Sequence, residues 1–309
     1  MTFALRRFAM TLFVLWGVIS VIFVVVRVVP GDPALVQLGP TATEAQLNAF
    51  RAQLGLDAPL ISQYLQFAKD AVLLDFGESF RLGGAAMAHV LERLPFSLEL
   101  AGAAMALAIL AGFPLGIFAA RYPGRLVDRI ASMLSLAVQG LPTFWVGIML
   151  ILVFARIMKV VPSGGTGTWL HLVLPAVTLA LPLIGVIVRL VRNGLLEEMR
   201  EGYVQTARSK GLAERIVIRA HVVRNMLIPV VTVLGLQFGV LLGGAVVVEM
   251  VFSWPGIGRL LIDSISNRDY PVVQASVAVM ATVFVVLNLA VDLLYGILDP
   301  RIRLGGRHG

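Results

Sequence analysis

Residues 8–26 read FAMTLFVLWGVISVIFVVV, a stretch without one charged side chain, and its reading decides the fold class. A helix rises about 1.5 Å per residue, so roughly 20 apolar residues cross a hydrocarbon core about 30 Å thick. Lipid offers the backbone no hydrogen-bonding partner, which leaves helices and closed barrels as spanning structures. A barrel strand would read as a run of about ten alternating residues, not as a continuous apolar one. The chain is therefore predicted to be all-α and embedded in a membrane. Composition points the same way: 58% of the 309 residues are hydrophobic and 14% charged, and the mean hydropathy is +0.89. A water-soluble core cannot hide that much apolar surface.

Working outward from the first run, five more of similar character follow, giving six transmembrane helices at about Phe8 to Val26, Leu98 to Ala120, Ile130 to Phe154, Leu172 to Val191, Leu227 to Val248 and Val272 to Leu298. Pro175 and Pro182 interrupt the fourth, and Arg189 and Arg192 lie near its end. Proline is tolerated in a membrane helix where neighbours satisfy the freed carbonyl, so the run is kept as a span, and Pro142 reads as a structural kink in the third. Basic residues stay in the cytoplasm during insertion. Arg6 and Arg7, then Arg121, Arg125 and Arg129, then the run from Arg200 to Arg224, then Arg301, Arg303 and Arg307 mark the inner segments, which places both termini inside. Across the first outer loop Arg51, Lys69, Arg81 and Arg93 are outnumbered by Asp32, Glu44, Asp57, Asp70, Asp75, Glu78 and Glu92. A cleaved signal peptide is disfavoured, because the run is long and is followed by Arg27, Val28, Val29, Pro30 and Gly31 without a small-residue cleavage site. The expected organisation is 1–29 as an amino-terminal segment and first span, 30–96 as an extracytoplasmic helical cap, 97–298 as the core with an inner loop at 192–226, and 299–309 as a cytoplasmic tail.

The net charge of +7 and pI near 10.3 do not imply nucleic acid, since the charge is spread over short loops and lacks a basic patch interleaved with aromatics. Without cysteine there is neither a disulfide nor a thiolate metal site, and His89, His171, His221 and His308 have no metal-ligand spacing, so no metal is expected. Gly164-Gly165-Thr166-Gly167 lacks the following lysine of a nucleotide-binding loop. There is no His-Glu-x-x-His, no Gly-x-Ser-x-Gly and no pair of intramembrane aspartates to support an intramembrane enzyme. A secondary transporter or channel working without an ATPase is the other rival class.

Two segments between spans are large. In the outer one, Ala45, Leu47, Phe50 and Leu54, then Ile61, Tyr64, Leu65, Phe67, Ala68 and Val72, give two helical patterns. In the inner one, Tyr203, Ala207 and Gly211 fall at i, i+4 and i+8 and share a helix face that is small at two positions, where another backbone can approach. Gly211 permits a turn, and an amphipathic helix follows with Ile216, Ala220, Val223 and Leu227 on one side and Arg215 and Arg219 on another. Spacing leaves two readings open, a helix that docks into a partner and a helix lying in the membrane interface.

Gln205-Thr206-Ala207-Arg208-Ser209-Lys210-Gly211 resembles the Glu-Ala-Ala-x-x-x-Gly loop of bacterial ATP-binding-cassette importer permeases, in the branch for dipeptides, oligopeptides, glutathione and nickel. Further segments in the same order carry the resemblance along nearly the whole chain. They are Pro30-Gly31-Asp32-Pro33, Leu54-Gly55-Leu56-Asp57 with Pro59 and Gln63-Tyr64, and Asp75-Phe76-Gly77 with Ser79. After these come Pro255-Gly256-Ile257-Gly258, Asn267-Arg268-Asp269-Tyr270-Pro271 and Asp299-Pro300-Arg301-Ile302. Two departures stand out: Gln205 occupies the usual glutamate position, which questions the role of a carboxylate there, and Pro229 lies further beyond Gly211 than in the common motif. The resemblance implies a type I ABC importer transmembrane domain in the bacterial inner membrane. It implies that Tyr203, Gln205, Thr206, Ala207, Arg208, Gly211 and Leu212 couple to an ATPase. Implied partners are a second homologous permease chain, two cytoplasmic ATP-binding subunits that carry ATP and Mg, and an extracytoplasmic substrate-binding protein, with no cofactor on this chain. Gly235 to Gly239 and Leu241 to Gly244 resemble dipeptide and glutathione members, which favours a short peptide over nickel as substrate.

Polar residues are costly inside a membrane and are candidates for the pathway or gate. Gln139, Gln237, Glu249, Asn288 and Asp292 fill that role here, with Glu99 near a helix end; the structural alternative is that each bridges helices or reaches headgroup water. Gly243-Gly244 and Ala245, extended by Gly239 and Gly235, predict close helix packing within the chain or against a partner.

Overall fold

The computed structural model describes residues 2–28, 33–39, 41–53, 55 and 57–298. The signatures Pro30-Gly31-Asp32 and Asp299 to Ile302, the tail 299–309, Leu54, Leu56 and the Arg219 side chain lie outside the described residues. The elements are α1 Thr2–Val28, α2 Pro33–Leu38, α3 Glu44–Gln53, α4 Leu60–Val72, α5 Ala86–Arg121, α6 Leu126–Gly140, α7 Thr143–Leu150, α8 Leu170–Glu198, α9 Gly202–Ser209, α10 Glu214–Ile216, α11 Val223–Val251, α12 Ile257–Ser266 and α13 Tyr270–Leu298. Widened π turns continue α7 over Ile151–Ile157 and α10 over Val217–Val222. Among the described residues the only strand-like pairing is a bridge between Glu78 and Ala85.

Five helices are long and apolar enough to cross a membrane: α1, α5, α8, α11 and α13. The run Ile130 to Phe154 is two helices, α6 and α7, bent by 102°. Pro142 removes an amide donor and pushes Leu141 into an extended conformation (φ −86°, ψ 133°), so the chain breaks instead of kinking. Counting the pair as one span gives six. Pro175 and Pro182, by contrast, lie within an unbroken α8. The helix beginning near Leu98 starts earlier, at Ala86, because Met87 and Val90 are buried on the same helix ahead of the apolar run. Helix α12, between the fifth and sixth expected spans, was not anticipated.

The described residues of 1–96 and 255–286 form one compact unit, and those of 97–254 and 287–298 a second. In the first, Phe76, Ala86, Met87 and Val90 pack with Ile257, Val272, Ala275 and Val279 in a core to which Phe67 and Leu94 are added. Helix α4 turns Tyr64 and Phe67 toward α1, where Phe23 meets both rings, and leaves Ile61, Leu65 and Val72 exposed. The Tyr64 hydroxyl lies 2.7 Å from Ser20 Oγ, and the Arg27 guanidinium donates twice to Gln63 Oε1 at 2.9 and 3.0 Å. Asp269, 1% exposed, ties the 79–82 turn to the α12–α13 corner. Its carboxylate accepts from Ser79 Oγ and from the backbone N–H groups of Phe80 (3.1 Å) and Arg81 (3.3 Å), while Leu82 N–H donates to Ser79 Oγ at 2.8 Å. Two of the signature segments, Ser79 and Asn267 to Pro271, thus meet at one buried acid.

The second unit is built around α8, which packs on α6, α7 and α11. Its close approach to α5 depends on Gly112 and Gly116, one turn apart. A Cβ at either would fall 2.9 Å from Ile187 Cβ or 2.8 Å from Val191 Cβ. The close packing expected of Gly243 and Gly244 is not found among the described residues: a Cβ on Gly243 meets nothing within 4 Å and one on Gly244 only Leu179 at 3.6 Å. Gly235 is the tight member of that series, since a Cβ there would overlap the Val291 side chain. Gly164 and Gly165 also have a packing use, as Gly165 N–H donates to Phe252 O at 2.8 Å and the Gly164 backbone lies against the same carbonyl.

Candidate coupling loop and membrane polar groups

Helix α9 starts after Glu201, whose extended backbone (φ −65°, ψ 145°) breaks from α8, and ends at Lys210. Gly211 (φ +75°) then reverses the chain: its N–H donates to Arg208 O at 2.9 Å, and Leu212 N–H donates to Ala207 O at 3.4 Å. A left-handed residue just past a helix end is the ordinary place for glycine, because a Cβ there meets the preceding turn. The arrangement gives the loop a fixed elbow of the kind expected from the sequence.

The faces of α9 are distributed differently from the small-face reading. Val204 is fully buried and Ala207 only 8% exposed, and the helix packs on the π turn Val217–Val222. The Ala207 side is therefore turned toward the chain itself. Gln205, Thr206, Arg208, Gly211 and Leu212 are on the exposed side, and Tyr203 is at its margin. Spacing alone identified a face but not its direction, since a small residue packs equally well against its own chain and a partner's. Two side-chain contacts stiffen the loop. The Tyr203 hydroxyl donates to Glu198, and burial followed by that carboxylate pushes the phenol above its ordinary value. Arg208 grips Glu214 through Nε (3.1 Å) and Nη2 (2.6 Å), joining α9 to α10 and holding the Glu214 carboxyl below its usual range.

The candidate pathway residues lie on three helices: Gln139 on α6, Gln237 and Glu249 on α11, and Asn288 and Asp292 on α13. Gln139 is engaged structurally: Arg189 Nη2 donates to its Oε1 at 2.5 Å and its Nε2 donates to Ser135 O at 2.9 Å, bridging α8 to α6. Glu249, 1% exposed, accepts from Ser97 Oγ at 2.6 Å. Gln237 is half-buried on α11 and Asp292 half-buried on α13. Asn288 is the unusual one, since its Oδ1 is buried without a hydrogen bond among the described residues. Glu99 is exposed. One group escaped the sequence reading altogether. Asp128, 4% exposed at the start of α6, accepts from Arg192 Nε and Nη2 (2.8 Å) and from Gly124 N–H (2.8 Å). A lone acid in the Arg121–Arg129 stretch was its available signal.

The described helices share their fold with chains of ABC transporters of known structure. One is a chain of the MetNI methionine ABC transporter solved in inward-facing conformations, matched at TM-score 0.59 and 17% identity over 69% of this chain and 97% of that one. Another is a chain of an amino acid ABC transporter solved with histidines, at TM-score 0.52 and 18% identity over 69% and 94%. The fold is that of the transmembrane domain of a type I ABC importer. Residues 112–304 match the model of the binding-protein-dependent transport system inner membrane component, and residues 1–101 match its amino-terminal part. The glutathione transport system permease protein GsiC of Escherichia coli K12 is 38% identical over 98% of this chain and 99% of its own length. The di/tripeptide transport system permease protein DppB of Pseudomonas aeruginosa UCBPP-PA14 is 40% identical over the same shares. The chain belongs to the family of binding-protein-dependent transport system inner membrane components. It is a multi-pass permease subunit of an ABC importer, not a catalytic one, and it works with ATPase and substrate-binding partners.

Proposed function

We propose that this permease forms half of an inner-membrane pathway for short peptides, with dipeptides, tripeptides and glutathione as the substrate class. The observation that carries this reading is identity of 38–40% over nearly the full length to permeases named for glutathione and for di- and tripeptides. The second half is a homologous permease chain, because six spans are too few to enclose a peptide-sized path, and two ATP-binding subunits lie on the cytoplasmic side. Both termini and the α8–α11 loop face the cytoplasm, as the distribution of arginines argues. Residues 33–96 then lie outside, as a cap that receives the binding protein.

In this reading the exposed side of α9, with Gln205, Thr206, Arg208 and Leu212, enters a groove on the ATPase, while Val204 and Ala207 anchor the helix to the permease. Motion of the nucleotide-bound ATPases passes through the Gly211 elbow and the Arg208–Glu214 clasp into α11. Differential binding of ATP to the closed state thereby shifts the pathway between inward-facing and outward-facing populations. Gln205 supplies hydrogen bonds where a glutamate is usual, so the coupling contact does not depend on a carboxylate at that position. The test is uptake of labelled dialanine, a tripeptide and glutathione by a strain lacking the chain. Loss of uptake of one of them, restored by the gene, is expected. Undiminished uptake of all three together with lost nickel uptake would overturn the peptide assignment.

A further inference from the structure

The unit formed by 1–96 and 255–286 carries a cavity of about 290 Å³ lined in part by Arg81, Arg93, Arg259, Asp263, Asn267 and Asp269. Its charges are not balanced. The buried Asp269 carboxylate is occupied by the Ser79 hydroxyl and two backbone N–H groups, bonds that fix where Arg81 leaves the chain. Asp263 lies 3.7 Å from Arg259 with both side chains well exposed, a pairing that solvent weakens. Neither the Arg81 nor the Arg93 guanidinium has an acceptor among the described residues. Cationic groups that converge on a concavity with low-dielectric walls concentrate positive potential there.

We propose that this cavity is a docking pocket for a carboxylate side chain, an aspartate or glutamate, on the soluble substrate-binding protein. Guanidinium groups present planar forks of donors that match a carboxylate, and the bonds they make to one are charge-assisted. The cavity is at the small end of the range for ligand pockets, matched to a single inserted side chain. The cap segment carries Asp70, Asp75, Glu78 and Glu92, and its acids outnumber its basic residues, so the arginines form a cationic spot in a segment of mostly acidic character. Placing the contact there fixes the register of docking as well as adding affinity. The inference rests on the orientation given above, in which residues 33–96, and with them the α12 corner, lie outside.

The test uses the assembled transporter in lipid nanodiscs and its own purified binding protein. Arg81→Glu and Arg93→Glu should each weaken binding about tenfold, the loss expected for a charge-assisted contact, and flatten its salt dependence. Arg81→Lys with Arg93→Lys should retain most of the affinity, and ATP hydrolysis without the binding protein should be unchanged in all variants. Unaltered affinity in the Arg81→Glu/Arg93→Glu double variant would overturn the proposal, as would a raised KM for peptide with unaltered affinity for the binding protein, which would give the pocket to substrate. The chain has no cysteine, so Glu44→Cys or Asp70→Cys supplies a single thiol for cross-linking. Cross-links with unaltered affinity in the arginine variants would reject the pocket and keep the outside orientation. Absence of cross-links together with unaltered affinity would reject both.

Discussion

Asp269 shows how much of a unit can depend on one side chain, because it holds a turn 190 positions earlier in the sequence through three hydrogen bonds. Bonds to an ionised acceptor contribute about 1.5–3 kcal/mol each and are not additive, so Asp269→Ala should destabilise by about 3 kcal/mol or more. Asp269→Asn, which keeps one acceptor, should cost less; equal melting temperatures for Asp269→Ala and wild type in detergent would refute this role. The Asp128–Arg192 pair makes a different prediction. Removing Asp128 alone leaves a partly exposed guanidinium with Asn193 Oδ1 as its remaining side-chain acceptor, at a cost of about 1–3 kcal/mol, whereas replacing both partners by leucine should be close to neutral. Thermal unfolding of the single and double variants separates the two effects. At Glu214 the sign of the pH dependence is the usual one for a carboxylate with a lowered pKa. The Arg208 clasp contributes fully above the ordinary carboxylate range and fades only as pH falls through the lowered value, so it is intact at neutral pH.

Among the elements, the α5–α8 contact depends most directly on side-chain size. Gly116→Leu would drive its Cβ into Val191 and the Val188 carbonyl, 2.8 and 2.9 Å away, and should abolish a monodisperse detergent-solubilised protein, whereas Gly243→Ala, with open space around it, should be silent. Size-exclusion profiles of the two variants check the contrast. The same pair shows where the sequence was legible. Continuous apolar runs located the spans, since length and hydropathy survive without knowledge of neighbours. They did not show which glycines pack, because a helix that is apolar all round has no facial pattern to read. The break at Pro142 was anticipated as a kink but not as a 102° bend, which depends on what the two halves pack against. Helix α12 and the early start of α5 were hidden for a related reason: their cores are completed by each other's segments, Val90 with Ile257 and Val272, and not by local periodicity.

For the whole molecule, the buried and exposed sides of α9 separate two kinds of coupling defect. Ala207→Glu places a charge in the loop's own packing and should reduce the amount of folded protein. Leu212→Asp should leave folding intact while ATPase subunits fail to co-purify or lose stimulation by the binding protein. Full transport by Leu212→Asp would refute the exposed side as the contact. Among the site residues, then, the loop was legible as a motif and its orientation was not, while of the pathway candidates Gln139 and Glu249 make hydrogen bonds between helices. The discontinuous core of the first unit has a further consequence, for biogenesis. Val90 emerges from the ribosome long before Ile257 and Val272, which complete its surroundings. At about 5–20 residues per second, roughly 170–180 intervening residues take on the order of 10–35 s to synthesise. During that interval the early segment must wait, outside the membrane in the proposed orientation, with its apolar side uncovered. Slowing translation between residues 90 and 257 should therefore lower the amount of intact permease in the membrane fraction, even for a sequence whose equilibrium stability is unchanged.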